Sequence, residues 1–280
     1  MSALPHTPAR RLPRGADGWV SAWRHAQIPV LARTAQALAE LMEHQEEVDA
    51  KLLAETIGGD PLMCLKLLAH VSSHRPSSRV TDAETATAAL VMMGIGPFFR
   101  HFGEQPTVEQ ELAAQPEALE GLQAVLRRAR RAAAFALGFA VHRMDHDAEV
   151  IHQAALLHDF AEMLLWCHEP QLALAIAHAQ RADSTLRSAA AQMSVLGVEL
   201  GDVQQGLMRA WRLPELLVRI SDDHHANTAQ VRNVHLAIRI ARHSAVGWDN
   251  AALPDDVREI AELLTLGHDP TWRLLRELDS

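Results

Sequence analysis

The chain of 280 residues is 48% hydrophobic, enough to bury a large core, and its formal net charge of −9 disfavours nonspecific binding to nucleic acid or to an anionic membrane. Tyrosine is absent and aromatic residues make up only 4% of the chain, a composition that favours helices over sheet. The sequence shows neither a signal peptide nor an apolar stretch as long as a membrane span. It therefore predicts a cytoplasmic protein with no membrane or nucleic-acid partner.

The N-terminal residues, 1 to about 18, are predicted to form a flexible tail, because prolines and glycines interrupt any helical pattern there. Residues 19–280 are predicted to form one helical domain. Capping signals mark its first helices. Asp49 and Asp60 each precede an apolar run, and Thr81 with Glu84 forms a capping box ahead of a helix over 86–93.

Two long helical stretches follow, over 117–144 and 148–168. Shorter helices are predicted near 170–181, 184–196, 199–211, 214–225, 230–245, 255–265 and 270–278. No alternation with a period of two persists, so the predicted fold class is all-α. We expect an N-terminal lobe of short helices, about 27–105, packed against a longer C-terminal lobe, about 106–280.

A histidine and an aspartate stand side by side in an apolar run, as His158 and Asp159 after Leu157. A buried pair of this kind needs a partner, which in metal hydrolases is a cation that activates a bound water. His224 and His225 follow two aspartates and could complete such a site. The alternative is that this second cluster is a solvated helix end.

Four arginines, Arg127, Arg128, Arg130 and Arg131, form the second candidate site. Arg127, Arg130 and Arg131 share one helical face, a geometry that suits a phosphate or a carboxylate. The alternative is an ordinary solvated basic face. Arg128, if it points inward, could pair with Asp159 and replace the metal by a salt bridge.

Several motifs resemble those of the HDOD family in order and approximate spacing over about residues 25–245. They are the segments 59–68 and 80–94, then Leu-Leu-His-Asp at 156–159, Trp-Arg-Leu-Pro at 211–214, and the histidine pair at 224–225. The resemblance implies an HD-like helical bundle related to the HD phosphohydrolases. It also implies a role in bacterial signal transduction.

The sequence departs from an active HD site at the positions where the resemblance places metal ligands. Arg128 stands where catalytic relatives have a histidine, Leu200 where they have another, and Ile238 where they have an aspartate. An arginine cannot ligate a cation, and its positive charge repels one. His158, Asp159, His224 and His225 are therefore predicted to be relics of a metal site, with no bound metal, no cofactor and no catalytic residue.

The leading expectation is a non-catalytic regulatory module that acts through contacts with signalling proteins. Two alternatives remain open at this point. The first is a metal-dependent phosphohydrolase of a nucleotide or cyclic dinucleotide that uses the four relic positions. The second is a nucleotide sensor that binds a small phosphorylated ligand at the arginine cluster without hydrolysing it.

Overall fold

The computed structural model describes residues 12–74, 82–183, 185–222 and 228–279, and the described chain is built from helices. The first part contains α1 (Gly15–Trp23), α2 (Ala32–Glu43), α3 (Ala50–Gly58), α4 (Pro61–Ser73), α5 (Ala86–Met93), α6 (Ile95–Phe102) and α7 (Val108–Glu111). The second part contains α8 (Pro116–His142), α9 (Ala148–Leu157), α10 (Phe160–His168), α11 (Pro170–Ala182), α12 (Ser188–Leu196), α13 (Leu200–Ala210), α14 (Glu215–Ile220), α15 (Ala229–His243), α16 (Leu253–Leu264) and α17 (His268–Leu278). The prediction of an all-α fold is confirmed.

Two of the predicted helix caps are confirmed. The Asp49 carboxylate accepts from the backbone N–H of Leu52, and the Asp60 carboxylate accepts from the first turn of α4. The cap predicted at Thr81 lies outside the described residues. Thr85, immediately before α5, caps that helix by accepting from the backbone N–H of Ala88.

The predicted tail extends too far, because α1 begins at Gly15, within it. Trp19 and Trp23, one helical turn apart, are both buried, and α1 packs against α13. Gly206 of α13 allows this approach, since a Cβ there would touch the side chain of Val20. Burial of the two indoles thus offsets the helix-breaking composition before them, and residues 1–11 lie outside the described part.

The single helix predicted over 148–168 is also wrong. The chain breaks at His158 and Asp159, which separate α9 from α10. The apolar run continues through the break without a change of period, because Leu157 and Phe160 are both buried.

Helix α8 is the centre of the C-terminal lobe and packs against α9, α10 and α15. Small residues permit this close packing. A Cβ at Gly121 would overlap the indole of Trp166, and one at Gly138 would overlap Leu278. None of the described helices combines the length and apolar character needed to cross a bilayer.

The N-terminal helices share one continuous apolar core with α8–α10. Asp60 joins α4 to the start of α2, because its buried carboxylate also accepts from the backbone N–H of Leu31 at 2.8 Å. Phe98 and Phe102 lie in α6 and are buried in this core. The core therefore runs from the short N-terminal helices to the His-Asp break.

Candidate functional site

The break between α9 and α10 places His158 and Asp159 at the wall of a cavity. Their side chains are 11% and 12% exposed. The His158 ring donates from Nδ1 to Asp159 Oδ1 at 3.0 Å. One carboxylate oxygen is thus already occupied by the neighbouring imidazole.

The other carboxylate oxygen is occupied by Arg128, which reaches it from the middle of α8. Asp159 Oδ2 accepts from Arg128 Nε at 3.2 Å and from Nη2 at 2.9 Å. The same Nη2 donates to Glu162 Oε2 at 2.7 Å, so one guanidinium bridges two carboxylates. Arg242 of α15 adds a second positive charge, 3.6 Å from Asp159 Oδ2. Arg128 therefore points inward and pairs with Asp159, one of the possibilities that the sequence left open.

These charges set the ionisation of the site. Burial alone would raise the pKa of the Asp159 carboxyl, but Arg128, His158 and Arg242 hold that pKa well below its usual range. The pKa of Arg128 is raised, first by the negative charge of Glu162 and then, against the effect of burial, by Asp159. Arg128 and Asp159 are therefore both charged across the physiological range.

The described residues do not fit a divalent metal. Both oxygens of Asp159 accept hydrogen bonds from cationic or imidazole N–H groups, and His158 uses Nδ1 as a donor. No group of three histidine, cysteine, aspartate or glutamate residues in the described part of the chain could hold a metal ion. The positions that the resemblance assigned to further ligands hold Leu200 and Ile238, both buried. His224 and His225 lie outside the described residues.

The cavity beside this pair has a volume of about 810 Å³. One wall is apolar, formed by residues such as Leu165, Trp166 and Ile176. The rest includes three glutamines together with Arg181 and Arg242. An apolar wall facing a few polar groups is typical of a small-molecule site.

The family is decided by a comparison with protein-family models, in which the HDOD domain model matches residues 28–227. The chain belongs to the HDOD domain family. The match includes Arg128, His158, Asp159 and Glu162, whereas Arg242 lies beyond it. A comparison with curated protein sequences found no significant match.

Solved structures share the fold of this HDOD domain. The MmoQ response regulator from Methylococcus capsulatus str. Bath is 18% identical with a TM-score of 0.66, over 89% of this chain and 98% of that one. A virulence factor from Campylobacter jejuni subsp. jejuni is 17% identical with a TM-score of 0.63, over 94% and 98% of the two chains. At these identities the likeness concerns the fold.

The arginine cluster of this HDOD domain is divided among several partners. Arg131 forms a two-pronged ion pair with Asp279 at 2.7 and 2.8 Å. Arg130 donates to the Gly59 carbonyl at 2.7 Å, and Arg127 is exposed. Together with the inward-facing Arg128, two of the four are committed to carboxylates. Anion binding by this cluster stays a prediction.

Sequence reasoning missed two members of the HDOD site. Glu162 lies one turn beyond Asp159 on α10, and this i, i+3 spacing was the available signal for a shared partner. Arg242 comes from α15, which is remote in sequence. No local pattern predicts that it approaches Asp159.

Proposed function

We propose that this HDOD domain is a non-catalytic signal-transduction module that acts through contacts with other proteins. The observation that carries the proposal is the Arg128 guanidinium bridging Asp159 and Glu162. A metal ion would have to displace a guanidinium that already satisfies both carboxylates, and the displaced charge would repel the ion. Without a metal-activated water, the fold has lost the nucleophile of its hydrolytic relatives.

The family supports a regulatory role. One structural neighbour is described as a response regulator, and its chain matches this one over nearly its whole length. Signalling modules without chemistry of their own transmit information by changing what they bind.

Exposed apolar side chains support the role of protein contacts. At the end of α8, Val141 and Met144, three residues apart, are 63% and 84% exposed, so both leave apolar surface in contact with water. They offer a surface that a partner protein would cover.

A hydrolysis assay tests the absence of catalysis. The purified protein is incubated with p-nitrophenyl phosphate, bis(p-nitrophenyl) phosphate, nucleotides and cyclic dinucleotides in the presence of Mn²⁺ or Mg²⁺. We expect turnover no greater than that of the His158→Ala variant, because His158 has no catalytic role. Turnover that depends on the metal and disappears in His158→Ala would establish the phosphohydrolase alternative instead.

A complementation experiment tests the protein-contact role. In the native host lacking the gene, a His158→Gln variant should restore the transcript profile as fully as the original protein. A Val141→Asp, Met144→Asp double variant should fail to do so while remaining folded and abundant. The opposite pattern would contradict the proposal.

The cavity beside Asp159 favours a second candidate function, a sensor of a small phosphorylated ligand. Its volume is about 810 Å³, and of the three arginines in its lining Arg181 and Arg242 are more exposed than Arg128, an arrangement that suits an anionic molecule with an apolar part. Thermal stabilisation by a nucleotide, lost in Arg242→Gln and kept in the exposed control variant Arg258→Gln, would support this function. No stabilisation by any nucleotide would exclude it.

A further inference from the structure

A second cleft lies on another side of the molecule and shares no lining residue with the cavity at Asp159. Its volume is about 690 Å³. The walls are the turn after α1, one face of α4, the end of α6 and the end of α13 with the residues that follow it. Four segments remote in sequence thus meet around one open space.

Among the described residues, every ionisable side chain that lines this cleft is basic or an imidazole. They are Arg24 and His25 from the turn, Lys66, His70 and His74 from α4, His101 from α6, and Arg212 after α13. The described part of the lining contains no aspartate or glutamate, although the whole chain carries a net charge of −9. A concave surface of one sign concentrates counter-ions of the opposite sign.

Lys66 supplies the most deeply placed charge. Its Nζ donates to the Ile28 carbonyl at 2.7 Å and to the side-chain oxygen of Gln105, and both acceptors are neutral. An ammonium has three N–H donors, so these two bonds leave one for a ligand. Burial lowers the pKa of Lys66 to about 8, an effect that the more distant charges of Glu111 and Asp60 only partly oppose.

Three imidazoles form a stack beside Lys66. The His70 ring lies 3.8 Å from that of His101 and 4.3 Å from that of His74, measured between ring centroids. His74 Nδ1 donates to the His70 carbonyl at 2.8 Å. Burial, followed by the neighbouring His101 and His74, lowers the pKa of His70 to about 4, so the free cleft holds this ring neutral.

The arrangement suits an anion better than a metal ion. His70 and His74 are one turn apart, a spacing that metal sites also use, but here the His70 ring packs against the rings of His74 and His101 at interplanar angles of 31° and 36°. The described residues contain no three-ligand group able to hold a metal. Arg24, Lys66 and Arg212 would repel a cation from the same space.

We propose that this basic cleft is a binding site for a small phosphorylated anion, and that the anion is bound together with protons taken up by the histidine stack. A bound phosphoryl group stabilises the charged form of each imidazole, so it raises their pKa values. The complex then holds more protons than the free protein, and affinity rises as the pH falls. The pKa of His70 in the free protein is about 4. Below that pH the ring is protonated with or without the anion, so it no longer adds to the pH dependence of the affinity.

The groups that face His70 favour an anion affinity that rises as the pH falls. Helix α4 contributes Lys66 and His74, and α6 contributes His101. The turn after α1 contributes Arg24, and the segment after α13 contributes Arg212. Within this group, Lys66 also interacts with the carboxylates of Glu111 and Asp60. None of the residues described in the cleft lining is acidic, so none of them competes with the anion for the imidazoles.

Calorimetric titration of the full chain tests the proposal with two probes. Inorganic pyrophosphate at about pH 7 measures binding of a phosphoryl anion, and sulfate, whose charge is constant between about pH 5 and 8, isolates the protein's own protons. We expect pyrophosphate to bind at one site and sulfate affinity to rise about tenfold from pH 8 to pH 6, which corresponds to about half a proton taken up on average across that range.

A double variant, Arg24→Gln with His101→Gln, removes one exposed cation and one exposed imidazole from two different segments of the lining. We expect it to weaken pyrophosphate binding by about tenfold or more. Arg242→Gln, at the separate cavity, should leave the affinity unchanged. The proposal is overturned by absence of pyrophosphate binding at millimolar concentration, by equal affinity in the double variant, by a sulfate affinity independent of pH, or by tight Zn²⁺ binding at these histidines without anion binding.

Discussion

Replacing Arg128 with methionine removes the charge that joins α8 to the His-Asp break while keeping a side chain of similar length. The Arg128, Asp159 and Glu162 side chains are 19%, 12% and 31% exposed, so the bridge is largely withdrawn from water. Removing one partner of a fully buried ion pair costs about 3–5 kcal/mol, because the other charge is left uncompensated. Partial exposure and the nearby Arg242 reduce the expected loss here to about 2–3 kcal/mol.

The loss should depend on pH in a defined direction. In the original protein the pKa of Asp159 is depressed, so its stabilisation is fully present above the carboxyl's unfolded pKa, about 3.9, and is lost as the pH falls through the folded value. In Arg128→Met the balance changes, because burial then raises the pKa of Asp159 with less charge to oppose it. In mild acid, protonation of Asp159 removes the uncompensated charge from the variant. The difference in unfolding free energy between the original protein and Arg128→Met therefore becomes smaller.

Urea unfolding followed by tryptophan fluorescence and circular dichroism measures this difference at about pH 7 and about pH 4.5. Arg258→Met is the matched control, since Arg258 pairs with Asp255 on an exposed surface and should cost less than about 0.5 kcal/mol. A loss below about 0.5 kcal/mol for Arg128→Met, or a loss equal at both pH values, would refute the reasoning.

The remaining predictions concern packing, capping and thiol reactivity. Gly121→Ala should destabilise the protein by about 1–3 kcal/mol in urea unfolding, because a Cβ at that position overlaps Trp166. Gly201→Ala is the control: its Cβ would lie in open space, so the change should be neutral or stabilising by up to about 1 kcal/mol. Equal effects of the two substitutions would contradict the close packing at Gly121. Asp60→Ala should cost about 2–3 kcal/mol, since the buried carboxylate caps α4 and also holds α2, whereas the exposed cap Asp49→Ala should cost about 1 kcal/mol; a reversed order would count against the role of Asp60 in joining α4 to α2. Burial raises the pKa of both cysteine thiols, so a thiol reagent at neutral pH should modify them in the folded protein far more slowly than in urea; rapid labelling of the folded protein would argue against their burial.

The helical fold follows from signals that act locally. Asp49 and Asp60 precede apolar runs and cap the predicted helices, because capping involves only the neighbouring backbone. The break at His158 was not predictable from periodicity, since apolar residues continue on both sides of it. The helical start of the supposed tail was missed because it depends on Trp19 and Trp23 packing against α13, a contact between segments far apart in sequence.

The candidate site likewise contains one contact that the sequence could predict and others that it could not. The pairing of Arg128 with Asp159 was predictable once the family resemblance placed both at one site. Arg242 was not, because its approach depends on how α15 packs against α8 and α9. The basic cleft carries only the i, i+4 spacing of His70 and His74 as a local signal, and its other members meet through tertiary packing.

Our central proposal is that the Arg128 guanidinium takes the place of the metal ion of the catalytic HD relatives. Elemental analysis of the purified protein, combined with titrations of Mn²⁺, Mg²⁺ and Zn²⁺, tests it most directly. The account predicts less than stoichiometric metal and no tight binding that depends on His158 or Asp159. One or two ions bound per chain and lost in His158→Ala would contradict it.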